Sequence, residues 1–161
     1  MIVYFDTSAL VKFFIIEDGS ELVEDLRMQA DALATSRIAY VEACAAFKRL
    51  RREERLTQRD YLEARRSLEE RWPDLAVADI NELKAGELAA KHNLRGFDAI
   101  HLQAALDVWA SARHPLLTFC TFDERQAQAA RAEQLTVVPE SAHLRVARAV
   151  HSRIRVGRMP R

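Results

Sequence analysis

Cysteine is nearly absent. Cys44 and Cys120 stand alone, with no CxxC pair, so the chain has no disulfide framework. Glycine and proline are scarce, four of each in 161 residues, which excludes collagen-like and low-complexity architectures. No apolar run approaches the roughly 20 residues needed to cross a bilayer. Met1-Ile2-Val3-Tyr4-Phe5-Asp6 has no basic leader before its first acid, so no signal peptide is expected. What is present is 49% apolar and 30% charged residues, enough for one globular domain of ordinary size with a real core. A cytoplasmic protein without membrane association is expected.

Net charge is also zero, but by cancellation. Residues 1–42 hold eight acids and three bases, residues 43–72 nine bases and six acids, residues 73–140 ten acids and six bases, and residues 141–161 six Arg and no acid. Twenty of the 24 basic residues are Arg, which suits phosphate forks and ion pairs equally. The basic segments fit either a patchy solvated surface or an anionic partner such as RNA. The run Lys48–Arg55 is read in the same two ways.

Apolar periodicity alternates between strand and helix. Ile2–Phe5 reads as a buried strand that ends in the helix-start signal Asp6-Thr7-Ser8, with a short helix over Ala9–Ile16. Further helices are expected over Glu21–Ala30, from a Ser36 cap to Glu54, from the Thr57-x-x-Asp60 box to Trp72-Pro73, and over Glu82–His92, Asp98–Ala112 and Asp123–Gln134. Strands are expected over Ala32–Thr35, Leu75–Ile80, Leu116–Phe122 and Leu135–Val138. The Ser36 helix presents Ile38, Val41, Ala45 and Leu50 as its apolar side. This alternation predicts an α/β fold: a central parallel sheet of about five strands with helices on both faces. Residues 1–139 form the domain, and 140–161 a basic helical extension.

In such sheets, sites lie at the carboxyl ends of the strands. Asp6 follows the first strand, Glu42 sits early on the helix after the second, Asp98 opens a helix and Asp123 follows the fourth strand. Each is embedded among apolar or small neighbours, unlike ordinary surface acids. Two like charges about 5 Å apart repel by roughly 3 kcal/mol at an effective dielectric near 20. A shared cleft must therefore hold protons, bases or hard cations. Carboxylate oxygens suit Mg²⁺ or Mn²⁺, and no Cys or His cluster competes. Two such ions about 4 Å apart activate a water and stabilise the leaving oxygen of a phosphodiester. Helix dipoles after Asp6 and at Asp98 favour phosphate oxygens. Taken singly, each acid is equally well a helix cap or a first-turn acid.

At these residues the chain resembles the PIN-domain ribonucleases and, within them, the VapC-like toxins of type II toxin–antitoxin pairs. The matching segments are Val3-Tyr4-Phe5-Asp6-Thr7-Ser8-Ala9-Leu10-Val11-Lys12, Val41-Glu42-Ala43, Gly96-Phe97-Asp98-Ala99-Ile100-His101 and Leu117-Thr118-Phe119-Cys120-Thr121-Phe122-Asp123, in the family's order across residues 1–138. The resemblance implies a Mg²⁺-dependent endoribonuclease, with Mn²⁺ as a substitute, and an acidic site of Asp6, Glu42, Asp98 and Asp123. Asp6 and Asp98 would be the most direct ligands. Thr7 or Ser8 and Thr121 would orient a carboxylate or a water. It also implies an RNA substrate, a small antitoxin that occludes the cleft, and a homodimer. The Arg-rich tail extends past a compact PIN domain, and Glu124-Arg125 replaces the aromatic or basic residue that the family often carries after its last acid.

Three further residues are candidate RNA contacts. His101 is three residues past Asp98 on the same helix face, Lys12 is one turn beyond Ser8, and Arg95 immediately precedes the Asp98 helix. Each has a bland alternative: a structural histidine, a solvated lysine, a surface arginine. Two other functions compete with a nuclease. One is a phosphohydrolase with Asp6 as covalent nucleophile, which would want a second acid where Ser8 stands. The other is a non-catalytic RNA- or protein-binding module that keeps the fold.

Overall fold

Ile2–Phe5 forms β1 at the centre of a five-stranded parallel sheet of order β3-β2-β1-β4-β5. This computed structural model describes residues 1–111 and 116–140. The remaining strands are β2 (Ala32–Ser36), β3 (Ala76–Ala78), β4 (Leu117–Cys120) and β5 (Thr136–Val138). β4 is buried along its whole length and β1 nearly so, as expected for strands covered on both faces. The register places Ile2 opposite Ala32 on one side and Leu117 on the other, and Phe5 opposite Cys120.

The helices are α1 (Thr7–Leu10), α2 (Ser20–Gln29), α3 (Ile38–Arg52), α4 (Gln58–Arg71), α5 (Glu82–His92), α6 (Gly96–Ser111) and α7 (Glu124–Ala132). They divide between two cores. Phe5, Phe13, Phe14, Phe47 and Leu68 anchor the core beneath α1–α4, while Tyr4, Leu88, Leu102, Phe119 and Ala130 anchor that beneath α5–α7. The chain leaves β1 toward β2 and β3 on one side and returns to β4 and β5 on the other. The order therefore reverses between β1 and β4, and a crevice opens beyond their carboxyl ends. Asp6 directly follows β1, and Thr121 follows β4.

Several boundaries differ from the sequence expectation for packing reasons. The helix expected over Ala9–Ile16 is α1 followed by a single 3₁₀ turn, Val11–Phe13. Phe13, Phe14 and Ile15 are all buried, and three successive residues cannot share one helix face. α3 turns Ala39, Ala43, Phe47 and Leu50 inward, whereas Val41 is 63% exposed and Ala45 is exposed. The inward face opens with the two alanines before Phe47 and Leu50, so the larger Val41 misplaced the apolar side although Leu50 does lie on it. Ser36 ends β2, and Arg37 intervenes before the helix. β3, β4 and β5 are shorter than expected, and α6 begins two residues early, at Gly96. The Thr57 cap holds, with its hydroxyl accepting the Asp60 N–H at 3.1 Å. The basic extension expected over 140–161 and the His114-Pro115 stop lie outside the described residues, apart from Glu140.

Candidate functional site

The crevice beyond β1 and β4 collects the four expected acids in two hydrogen-bonded groups, Asp6 with Asp98 and Asp123 in one and Glu42 in the other. Asp6 caps α1 and accepts the Ala9 N–H at 2.9 Å. The Ser8 hydroxyl lies 2.8 and 2.9 Å from its two oxygens, and that of Thr121 lies 2.7 Å from Oδ2. Ser8 also accepts the Phe122 N–H at 2.8 Å, tying the turn after β1 to the turn after β4. Asp6 is only 4% exposed. Burial pushes its carboxyl above the ordinary range, against the opposing pull of His101 and the three donors.

Glu42 is held from two sides. Thr7 Oγ1 donates to Oε2 at 2.5 Å, and His101 Nε2 meets the same oxygen at 2.9 Å. Burial works to raise this carboxyl, but the His101 and Thr7 hydrogen bonds outweigh it, and the group sits below the usual glutamate range. The tautomer of His101 follows from its other neighbour. Tyr4 Oη lies 3.0 Å from Nδ1. Burial, then the charges of Asp6 and Glu42, raise the Tyr4 phenol far above its normal value, so it keeps its proton and donates it to Nδ1. The ring proton is therefore on Nε2, directed at Glu42.

Asp98 and Asp123 share Arg95. Its Nε lies 2.7 Å from Asp98 Oδ2, and one terminal nitrogen lies 3.3 Å from Asp98 Oδ1 and 3.1 Å from Asp123 Oδ2. Asp123 caps α7, its Oδ1 accepting the N–H groups of Arg125 and Gln126 at 2.9 and 3.0 Å. Gln126, fully buried, closes the ring: its Oε1 lies 3.0 Å from Thr121 Oγ1, and its amide donates to the Asp98 carbonyl at 3.0 Å.

Among the described residues no three His, Cys, Asp or Glu side chains are grouped so that they could hold a metal ion as they stand. Repulsion among the acids is relieved instead by Arg95, by His101 and by the hydroxyls of Thr7, Ser8 and Thr121. The donor set nevertheless fits a hard divalent cation. All its carboxyl donors are oxygens, a cation already stands between two of them, and the Thr121 proton has a second acceptor in Gln126, so Asp6 Oδ2 is releasable.

The other sequence candidates fall differently. Lys12, expected to reach a phosphate, is turned inward. Its ammonium lies 2.7 Å from Glu17 and 4.4 Å from the centre of the Phe122 ring, with the side chain 9% exposed. His101, also expected to meet RNA, is 2% exposed and faces Glu42. Arg95 is at the surface beside the acids, with its side chain 69% exposed. α1, four residues long, is too short to supply the dipole expected after Asp6, whereas α6 spans sixteen. Tyr4 and Gln126 went unnoticed in the sequence. A polar-tipped aromatic inside an apolar strand demands a partner, and a residue three past Asp123 shares its helix face; both signals were there to read.

A PIN-domain family model matches residues 3–132. Ribonuclease VapC45 and Ribonuclease VapC49 of two Mycobacterium tuberculosis strains are each 38% identical over 141 residues, 86% of this chain and 95% of the relative. Two crystal structures share the fold. PAE2754 from Pyrobaculum aerophilum has a TM-score of 0.61 at 20% identity, covering 92% of this chain and 96% of its own. FitAcB from Neisseria gonorrhoeae has a TM-score of 0.56 at 16% identity, covering 85% and 96%.

Proposed function

The chain belongs to the PIN-domain family, and from that membership we propose that it is a VapC-type endoribonuclease that uses a divalent cation, Mg²⁺ or Mn²⁺, to hydrolyse RNA phosphodiester bonds. The observation that carries this reading is the pair of adjoining hydrogen-bonded groups at the switch point of the sheet, one joining Asp6, Asp98 and Asp123 through Thr121, Gln126 and Arg95, the other holding Glu42 through Thr7 and His101. The two relatives named as ribonucleases support RNA as the substrate class.

Asp6 and Asp98 would hold the cation most directly, with Glu42 and Asp123 completing the ring. The cation supplies water activation and leaving-group stabilisation when bound. The protein's own groups do the rest. Ala9 N–H, Ser8 and Thr121 fix the Asp6 carboxylate, with Thr121 able to turn to Gln126. Thr7 and His101 fix Glu42 in its ionised form, and Gln126 ties the start of α6 to the turn after β4. Positioning by such supporting groups sets catalytic geometry as much as the ligands themselves do.

Asp6 is a poor covalent nucleophile, because it is buried with both oxygens already accepting hydrogen bonds; the phosphohydrolase reading is therefore weaker. The resemblance to VapC-like toxins extends the proposal to a small antitoxin that covers the crevice, and to a homodimer. Among the described residues no helix is long and apolar enough to cross a membrane, which accords with a cytoplasmic toxin. Incubating total RNA with the protein and Mg²⁺ tests the reading. Endonucleolytic fragments that disappear on chelation and with Asp6→Asn support it; fragments that persist in both would refute it.

A further inference from the structure

A cation, Arg95, stands among the groups that would hold another cation. Its guanidinium forks Asp98 at 2.7 and 3.3 Å and reaches Asp123 at 3.1 Å. Three features make this contact exchangeable. The Arg95 side chain is 69% exposed, so water competes for it and the pair is weak. The Arg95 carbonyl accepts the Ala99 N–H at 3.0 Å, which puts the residue at the positive end of the sixteen-residue α6, where the dipole disfavours a cation and favours an anion. Arg95 also lines an open cavity of about 530 Å³ with Asp123, Glu124, Arg125 and Gln128, and a side-chain carbon at the adjacent Gly96 would meet only open space. The guanidinium thus has somewhere to go.

We infer that Arg95 is an internal counter-ion that competes with the divalent cation for Asp98 and Asp123 and, once displaced, turns into the adjoining cavity to bind a phosphate of the RNA. The planar fork that fits a carboxylate also fits a phosphate, so one side chain serves both states. Charge is conserved in the exchange. The acids are neutralised by Arg95 before the divalent cation arrives, and afterwards the released guanidinium meets the incoming anion beside Arg125.

Although it rests on the ribonuclease reading above, this role has a signature of its own, because the same substitution acts with opposite signs on metal and on RNA. Mn²⁺ binding is titrated by electron paramagnetic resonance on the parent, Arg95→Ala and Arg95→Lys, and RNA turnover is measured at saturating Mn²⁺. Arg95→Ala binds Mn²⁺ about fivefold tighter, the equivalent of an exposed ion pair at the upper end of its range, and the difference shrinks in high salt. Its turnover at saturating Mn²⁺ falls at least tenfold. Arg95→Lys, which keeps the charge but loses the fork, binds Mn²⁺ like the parent and turns over slowly. If the parent binds Mn²⁺ and cleaves RNA while Arg95→Ala binds it equally or more weakly, the counter-ion role is overturned and the ribonuclease reading stands. If Arg95→Ala binds Mn²⁺ tighter and neither protein cleaves RNA, the competition with the cation stands, while the phosphate contact and the ribonuclease reading fall. If neither protein binds Mn²⁺, both fall.

Discussion

His101→Leu removes the middle of a chain of hydrogen bonds running from Tyr4 through His101 to Glu42. The Tyr4 hydroxyl, wholly enclosed, loses its acceptor, and a buried polar group left unpaired costs about 1–3 kcal/mol. Glu42 loses a charge-assisted donor, ordinarily about 1.5–3 kcal/mol. That loss is softened because its side chain is 24% exposed and Thr7 still donates to it. The added apolar burial of leucine offsets part of the sum, leaving a net destabilisation of about 2–3 kcal/mol. His101→Gln keeps an amide donor near the Nε2 position, restores the Glu42 contact, and loses about half as much. Urea unfolding at unchanged m-value measures both. A leucine variant as stable as the parent, or a glutamine variant no better than leucine, would refute the relay.

Asp6→Asn carries the opposite sign. Burial raises the Asp6 carboxyl above 3.8, so the folded state is penalised wherever the group is ionised. The penalty develops as pH rises through 3.8 and is full above the raised folded value. Asparagine caps α1 equally well, and Thr121 has Gln126 as an alternative acceptor. Asp6→Asn should therefore stabilise the fold at neutral pH by about 0.5–2 kcal/mol, the usual gain on relieving a functional site, while RNA cleavage is lost. Its melting-temperature advantage should vanish below pH 3.8, and an advantage that persists there would contradict the cause given. Mg²⁺ should raise the melting temperature of the parent more than that of Asp6→Asn, since cations bind only the folded acid cluster; equal shifts would argue against a shared site. Gly19→Ala should destabilise by about 1–3 kcal/mol in thermal unfolding, because Gly19 has φ +86° and an added Cβ would lie 2.4 Å from the Phe122 ring. An unchanged melting temperature would mean that this ring moves freely.

Much of this was legible in the chain because local and global signals agree. Ile2–Phe5 followed by Asp6-Thr7-Ser8 reads at once as buried strand and cap, and the Thr57 and Asp123 caps are as plain. The placing of Asp6 and Asp123 at one edge follows from their positions after strands once the sheet is taken as parallel, and Asp98 joins them from the first turn of α6. What was hidden depends on packing between distant elements. α3 buries Ala39 and Ala43 and exposes Val41, so side-chain size misdirected the reading of its face. Lys12 looked solvent-facing until Glu17 and Phe122 folded over it. His101 reads as a possible ligand on one helix, and only the approach of Tyr4 from β1 and of Glu42 from α3 turns it into a buried donor. That Arg95 would neutralise two of the acids was only half legible: its pair with Asp98 has the local i,i+3 spacing, while the contact to Asp123 spans 28 residues.

The most direct measurement compares cleavage of total RNA by the parent and by Asp98→Asn, each with Mg²⁺ and with chelator. Mapped cuts should appear with the parent in Mg²⁺ alone and be absent from the other three reactions. Equal cutting by a purified, folded Asp98→Asn protein would contradict a single four-carboxylate nuclease site.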